Sequence, residues 1–94
     1  MKYKVDFTKK FKKQHTKIEK QGKDLNKLYE VIELLANGKK LDNKFKDHKL
    51  IDDKKYKKCR ECHIEPDWLL VYQLQDKKLV LLLCATGSHS DLFD

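Results

Sequence analysis

The sequence predicts a small α+β domain in which two helices form a hairpin and pack on one face of an antiparallel sheet of about four strands. Three observations predict this class: a strand-like alternation at the N-terminus, two successive segments with helical apolar spacing, and two nearly continuous apolar runs near the C-terminus. The predicted order is β-α-α-β-β-β. A chain of 94 residues has room for one core, so we expect a single domain, residues 1–94.

The first strand and the first helix are predicted from the N-terminal residues. Three apolar residues alternate with charged ones and predict a strand with one buried face: Tyr3, Val5 and Phe7. Thr8 can then accept the first hydrogen bonds of a helix as its N-cap, and Gly22 can end that helix.

The second helix and a long loop follow. Asp24 can cap a helix with a broad apolar face, and Asn37-Gly38 supplies a left-handed end. From residue 39 to 58 the chain is rich in Lys and Asp and has little apolar periodicity, so we predict a loop. Long loops on compact domains are often functional.

Three strands are predicted in the C-terminal part. They are Cys59–Ile64, Trp68–Leu74 and Lys78–Ala85, joined by turns at Glu65-Pro66-Asp67 and Gln75-Asp76-Lys77. The last two strands are almost wholly apolar, which predicts the centre of a sheet covered on both faces.

The charge balance points to polyanionic partners without choosing among them. Lys and Arg exceed Asp and Glu by 22 to 15, a formal net charge of +7, which favours nucleic acid, an acidic protein or an anionic membrane. No segment resembles a signal peptide or a membrane span, so we expect a cytoplasmic protein without membrane contact. In that compartment Cys59, Cys62 and Cys84 are expected to be reduced.

A motif that resembles a haem-attachment or zinc site lies in the first of these three strands, Cys59–Ile64. Cys59-Arg60-Glu61-Cys62-His63 matches the C-x-x-C-H pattern of c-type haem attachment. On a strand, however, Cys59 and Cys62 point to opposite faces and cannot hold one ion. A second C-x-x-C, as a zinc site would need, is missing. We therefore expect no metal and no cofactor.

Polar titratable residues gather in the second half of the chain. His48, His63 and His89, together with Asp67, lie on a loop, near a turn and after the last predicted strand. Imidazole is the side chain best suited to exchange protons near neutral pH, so these residues suggest a proton-transfer site assembled by folding. A histidine metal site is the competing interpretation.

Three sequence blocks carry a family resemblance. They are Lys46-Asp47-His48-Lys49-Leu50, the run from His63 to Tyr72 that reads HIEPDWLLVY, and Gly87-Ser88-His89-Ser90-Asp91-Leu92-Phe93. In this order they resemble the KDH-x-L, H-x-E-P-D-W-x-L-x-Y and G-x-H-x-x-L-F blocks of the YafQ-type toxins in the RelE/ParE superfamily. The resemblance implies a RelE-like fold and an endoribonuclease that cleaves mRNA on the ribosome, as the toxin of a type II toxin-antitoxin system.

The resemblance also implies site residues, carried over where the blocks match. The catalytic cluster would contain His48, His63, Asp67, His89 and the neighbouring aromatic Phe93. Ribonucleases of this kind use the RNA 2'-hydroxyl as nucleophile, and they need a base, an acid and positive charge at the phosphate but no metal. We assign His89 as general acid, either Asp67 or His63 as general base, and His48 to the phosphate or to assisting the base.

RNA contacts are expected around this cluster. Lys44, Lys46 and Arg60 are candidate phosphate clamps, although an exposed lysine can equally be only a solvated surface residue. Phe93 could stack on an unpaired base. Trp68 could do the same or could anchor the turn in the core, and the sequence leaves both open.

Partners and alternatives follow from the same resemblance. It implies mRNA on the ribosome with contacts to 16S rRNA, and a cognate acidic antitoxin that wraps the basic surface. The toxin would be monomeric when free and part of a hetero-oligomer with the antitoxin. One alternative is a ParE-like toxin that acts on gyrase, which the retained histidines disfavour. Another is a basic RNA-binding module without catalysis, which would not need His89.

Overall fold

The computed structural model describes residues 1–94 and confirms the α+β class. One sheet carries helices on one face and a loop with a short helix on the other. The elements are β1 (Lys4–Phe7), α1 (Lys9–Lys20), α2 (Leu25–Ala36), β2 (His48–Lys49), β3 (Arg60–Glu65), β4 (Trp68–Gln75), β5 (Val80–Gly87) and α3 (His89–Phe93), with a single 3-10 turn at Asn43–Phe45.

The sheet differs in two details from the expectation of about four antiparallel strands. It has five strands in the order β1-β5-β4-β3-β2, and β1 runs parallel to β5 while all other pairs are antiparallel. The additional strand, β2, lies inside the segment predicted as a loop. The strand β2 was missed because its two residues are both exposed and show no apolar alternation. The parallel pairing of β1 was missed because alternation does not show the direction in which a strand pairs.

The helix hairpin forms as predicted. The side chain of Thr8 accepts a hydrogen bond from the Phe11 amide, and Asp24 accepts one from the Asn26 amide, so each helix begins at its predicted cap. Both helices pack on the same face of the sheet. The core there contains 15 buried residues, among them Ile18 of α1 and Leu28 of α2.

The opposite face of the sheet has a smaller core. It consists of six buried residues: Tyr56, Cys59, Leu69, Val71, Ala85 and Leu92. The loop before β3 and the helix α3 cover this face. Cys59 belongs to this core and Cys62 to the larger one, which confirms that the two thiols lie on opposite sides of the sheet.

Two terminal segments differ from the expectation. Phe7, predicted to be buried, is 52% exposed, because β1 lies at the edge of the sheet and only Tyr3 and part of Val5 reach the core. The residues after β5, for which no element was predicted, form the short helix α3. None of the helices has the length and apolarity needed to cross a bilayer.

Candidate active site

A buried carboxylate lies between two of the predicted histidines. Alternation along β3 puts Glu61 and His63 on the face opposite the helix hairpin, and β2 pairs His48 directly with Glu61. Glu61 Oε1 lies 3.4 Å from His63 Nε2 and 3.7 Å from His48 Nε2, and the Glu61 side chain is only 5% exposed. A buried carboxylate that contacts two imidazoles holds both rings in place beside it.

The third histidine is held by the turn between β3 and β4. Asp67 Oδ1 accepts hydrogen bonds from the backbone amide of His89 at 3.0 Å and from its Nδ1 at 3.3 Å. The bond from the His89 amide, followed by the bond from its ring, lowers the pKa of the Asp67 carboxyl. Since Nδ1 donates to the carboxylate, Nε2 of His89 is left to exchange a proton with a ligand.

The short helix α3 carries both His89 and Phe93, at its first and last residues. Ser88 accepts a hydrogen bond from the Asp91 amide, and Asp91 accepts one from the Ser88 amide, which is a complete capping box. At the other end of α3, Lys55 Nζ and the Tyr56 hydroxyl both donate to the Leu92 carbonyl, at 2.9 and 3.0 Å. The short helix is therefore held at both ends.

Aromatic rings form a continuous row across the site. The rings of His63 and His89 meet edge to face with centroids 5.8 Å apart, and His89 lies 6.0 Å from Phe93. Phe93 in turn meets the edge of Tyr56 at 5.4 Å. The structure therefore brings together His63 and His89, two of the residues that the sequence analysis assigned to the site.

A basic cleft of about 470 Å³ opens beside His63, and we call it the His63 cleft. Lys44 and Lys46 line it, together with Lys27 and Glu65, which form an ion pair at 2.9 Å. The carbonyl of Lys46 accepts a hydrogen bond from His48 Nδ1 at 2.6 Å, so the lysine loop is tied to the histidine cluster. Two of the three predicted phosphate clamps thus lie next to the site.

The other two predicted RNA contacts lie elsewhere. Arg60 pairs across β3 and β4 with Tyr72 on the helix side of the sheet, and its guanidinium contacts both carboxylate oxygens of Asp47, at 3.2 and 3.3 Å. Trp68 is 0% exposed, and its Nε1 donates to Thr86 Oγ1 at 3.0 Å. A ring with no accessible face cannot stack on a base, so the core role is the one that Trp68 has in this fold.

Two residues of the site were not singled out from the sequence. Glu61 is two residues from His63 on a strand, a spacing that places both on one face, and this was the available signal. Tyr56 lies in an irregular loop, where no periodicity points to its position beneath Phe93. Both become recognisable only when the fold brings distant segments together.

The arrangement of donor atoms bears on the competing interpretation, a histidine metal site. No three His, Cys, Asp or Glu side chains anywhere in the chain are arranged so that they could hold one metal ion. His89 is directed to Asp67, while His48 and His63 contact Glu61. No set of three protein ligands for one metal ion is therefore arranged at this site.

Comparison with known proteins agrees with this arrangement. The family described as the bacterial toxin of type II toxin-antitoxin systems, YafQ, matches residues 3–94. The mRNA interferase toxin YafQ of Escherichia coli BL21-DE3 is 38% identical over 90 residues, which cover 95% of this chain and 94% of that protein.

Two solved structures are similar over almost the whole chain. A metal-bound toxin from Helicobacter pylori is 43% identical with a TM-score of 0.89, covering 97% of this chain and 99% of its own. The YafQ in an E. coli DinJ-YafQ complex is 35% identical with a TM-score of 0.87, covering 98% and 99%. The chain belongs to the YafQ family of bacterial type II toxin-antitoxin toxins.

Proposed function

We propose that residues 1–94 form one toxin domain that cleaves mRNA on the ribosome by attack of the RNA 2'-hydroxyl on the adjacent phosphorus. The observation that carries this proposal is the pair of imidazoles, His63 and His89, that meet at 5.8 Å with a carboxylate beside each. Two positioned imidazoles can remove one proton and supply another on either side of a phosphodiester. The relatives named mRNA interferase toxins support the same reaction.

His89 is the general acid in this proposal. Asp67 fixes its backbone and its Nδ1, so Nε2 is directed toward the ligand and can protonate the departing 5'-oxygen. The lowered pKa of Asp67 makes this carboxylate a poor proton acceptor and a good partner for an imidazolium. Of the two candidates for the base, Asp67 is therefore the weaker.

His63 is the general base, with Glu61 beside it. The carboxylate is 3.4 Å from Nε2 and nearly excluded from water, so it orients the ring and stabilises the positive charge that the ring gains when it takes the 2'-hydroxyl proton. His48 completes the cluster by contacting the other side of Glu61. With Lys46 beside it, His48 can counter the charge of the phosphorane-like transition state.

RNA binding in this proposal uses the surroundings of the cluster. Lys44 and Lys46 line the His63 cleft and attract phosphate groups, and half-buried Phe93 offers a ring beside His89 on which a base can stack. Contacts to the ribosome, including 16S rRNA, come from the same basic surface. The net charge of +7 supports such contacts.

An antitoxin is the proposed protein partner. Two of the similar E. coli structures are DinJ-YafQ complexes. A cognate antitoxin with an acidic segment would complement the basic surface of this chain, and the toxin would be monomeric when free and hetero-oligomeric in the complex. The gyrase-directed alternative has no supporting observation here.

A resident metal has no place in the proposed reaction. The H. pylori relative is described as metal-bound. In this chain, however, no three potential ligands are arranged around one position, and the His63 and His89 rings each contact a carboxylate. No step is therefore assigned to a metal.

Single-turnover cleavage on saturating programmed ribosomes tests the proposal, with His89→Ala as the variant. We expect the rate to fall by roughly 100-fold or more while folding and ribosome binding stay near normal, because only proton transfer is removed. Lys46→Ala is the contrast, since removal of a phosphate contact should weaken association in a salt-dependent way and slow saturated cleavage only partly. A His89→Ala protein that folds, binds and cleaves at the parental rate would exclude this residue from the reaction.

A further inference from the structure

A second basic cleft is lined by Tyr56, whose ring meets that of Phe93. It has a volume of about 390 Å³ and we call it the Tyr56 cleft. Its lining includes four lysines and no carboxylate: Lys10, Lys54, Lys55 and Lys57, with Tyr56 and Cys84. Four ammonium groups around one concavity make a strong local attraction for anions.

These lysines are not neutralised by the protein itself. Lys17 and Lys27 elsewhere form ion pairs with Asp91 and Glu65, whereas none of the four lysines of the Tyr56 cleft forms an ion pair with a carboxylate. Asp53, an acidic residue of the same loop, contacts the loop backbone: its Oδ1 accepts hydrogen bonds from the amides of Lys55 and Tyr56. The positive charge is therefore available to a ligand.

Two of the four lysines organise the cleft and two remain free. Lys10 Nζ donates to the Tyr56 hydroxyl at 2.9 Å, and Lys55 Nζ donates to the Leu92 carbonyl. Lys54 and Lys57 are exposed and their ammonium groups make no hydrogen bond within the protein. These two ammonium groups are therefore the ones best placed to bind an anionic ligand in place of water.

The thiols beside the lysines do not oppose an anion. Burial raises the pKa of the Cys59 thiol, and burial, as the main cause, raises that of Cys84 to about 12. Both are neutral at physiological pH and add no negative charge to the cleft. Their sulfur atoms contact each other at 3.9 Å as a hydrogen-bonded pair.

The two basic clefts lie at opposite ends of the ring row. His63 lines the first cleft, the row continues through His89 and Phe93, and Tyr56 lines the second. A single strand whose scissile phosphate lies between His63 and His89 and whose next base stacks on Phe93 would therefore continue toward the Tyr56 cleft.

We propose that the Tyr56 cleft is a second phosphate-binding subsite for the substrate RNA strand, on the side of the scissile bond opposite to Lys44 and Lys46. This rests on the proposed function, because the path of the strand is set by the position of its scissile phosphate at the histidines. The subsite recognises the backbone and not a base sequence, since lysine ammonium groups contact phosphate.

The test compares two variants that each lack two positive charges of the parent. Lys54→Gln/Lys57→Gln removes the free lysines of the cleft, and Lys77→Gln/Lys78→Gln removes two exposed lysines from the β4–β5 turn, at the other end of the sheet from Asp67. The readout is single-turnover cleavage on ribosomes programmed with mRNA, at a series of toxin and salt concentrations. Binding to mRNA-free ribosomes is measured in parallel.

For the cleft variant we expect the half-saturating concentration to rise roughly tenfold, and its salt dependence to fall by about 0.7 in log–log slope for each phosphate that no longer meets a lysine. The rate at saturation and the affinity for mRNA-free ribosomes should match those of the turn variant. Equal half-saturation for the two variants, with cleavage intact, would overturn the subsite and leave the nuclease standing. An equal loss of affinity for mRNA-free ribosomes would assign the lysines to rRNA and also overturn the subsite. A parent protein that cleaves no mRNA would overturn both proposals.

Discussion

Asp67 contacts His89 twice, through the backbone amide at 3.0 Å and through ring Nδ1 at 3.3 Å, although 22 positions separate them in the sequence. The β3–β4 turn thereby sets both the start of α3 and the direction of the imidazole. These same contacts, first the His89 amide and then its ring, lower the pKa of the Asp67 carboxyl, so it is charged at neutral pH.

Asp67→Asn tests whether the contact with His89 needs the negative charge of the carboxylate or only its hydrogen bonds. The Asn side-chain oxygen can still accept from the His89 amide, but the negative charge that stabilises a protonated ring is removed. We expect single-turnover cleavage to slow by roughly tenfold or more, a part of the 10²–10⁴ that a positioned acid contributes, with ribosome affinity unchanged. Asp52→Asn, in an exposed turn, is the matched control. Parental cleavage by Asp67→Asn would mean that His89 needs no charged partner.

Glu61→Gln tests the carboxylate that lies between His48 and His63. The amide keeps the volume of the side chain but cannot balance the positive charge that His63 gains when it takes a proton, so we expect cleavage to fall by about tenfold or more while the protein remains folded. Glu19→Gln on the exposed surface of α1 is the control for removal of one negative charge. Circular dichroism and single-turnover rates are measured together. Unchanged cleavage by a folded Glu61→Gln protein would contradict the role given to this residue.

The parts of the fold that sequence could predict are those fixed by local chemistry. The caps Thr8 and Asp24 and the turn at Pro66 and Asp67 lie where the sequence placed them, because side-chain-to-backbone bonds and the fixed φ of proline act within a few residues. The parallel pairing of β1 with β5 could not be predicted in this way. That pairing depends on which strand of the folded sheet still has a free edge for β1, and the order of the strands decides this.

The candidate site was predictable to the extent that it lies in short motifs. His63 and Asp67 flank one turn, and His89 follows the last strand, so their approach follows from sheet order. Glu61 and Tyr56 were missed for different reasons. A glutamate on a strand resembles any surface residue until its burial is known, and Tyr56 reaches Phe93 only because the second core folds the loop onto the sheet.

Trp68→Phe distinguishes a core residue from an RNA-stacking residue. Phenylalanine removes the indole nitrogen that donates to Thr86 and leaves unfilled volume in the larger core, so we expect the free energy of unfolding to fall by about 1 to 3 kcal/mol. Cleavage by the remaining folded protein should be parental when measured well below its unfolding temperature. Urea denaturation gives the first quantity and single-turnover cleavage the second. A loss of cleavage without a loss of stability would restore the stacking role.

Removal of metal ions should leave the reaction intact. In the proposed reaction the two imidazoles and their carboxylates supply the proton transfers, and no three ligands are arranged around one position. Ribosome-programmed cleavage should persist in EDTA once ribosome integrity is controlled with a magnesium-independent readout of subunit association. Elemental analysis of the purified protein should find no stoichiometric zinc, copper or iron. Loss of a bound metal together with loss of cleavage would reverse this assignment.

Acid should destabilise the protein through three carboxylates near the site. The pKa of Glu65 is lowered chiefly by its hydrogen bond from Lys27, that of Asp67 by the His89 amide, and that of Asp91 by Lys17. Each group binds protons less readily when folded than when unfolded. Its contribution to stability is therefore fully present above the unfolded pKa of about 4 and disappears as the pH falls through the lowered folded value.

The urea midpoint, measured from about pH 7 down to about pH 2.5, gives the test. We expect the urea midpoint of the parent to stay constant from about pH 7 down to about pH 5 and to decrease at lower pH. The midpoint of Asp91→Asn should decrease less steeply, because its side chain has no carboxyl group to protonate. Asp52→Asn, without an ion-pair partner, should follow the parent. Because Lys17 and Asp91 are both partly exposed, high salt should also reduce the difference between Asp91→Asn and the parent at neutral pH. An Asp91→Asn curve parallel to the parental curve at every pH would show that the capping box of α3 needs no charge, and that the helix carrying His89 is held by packing and by the bonds to the Leu92 carbonyl.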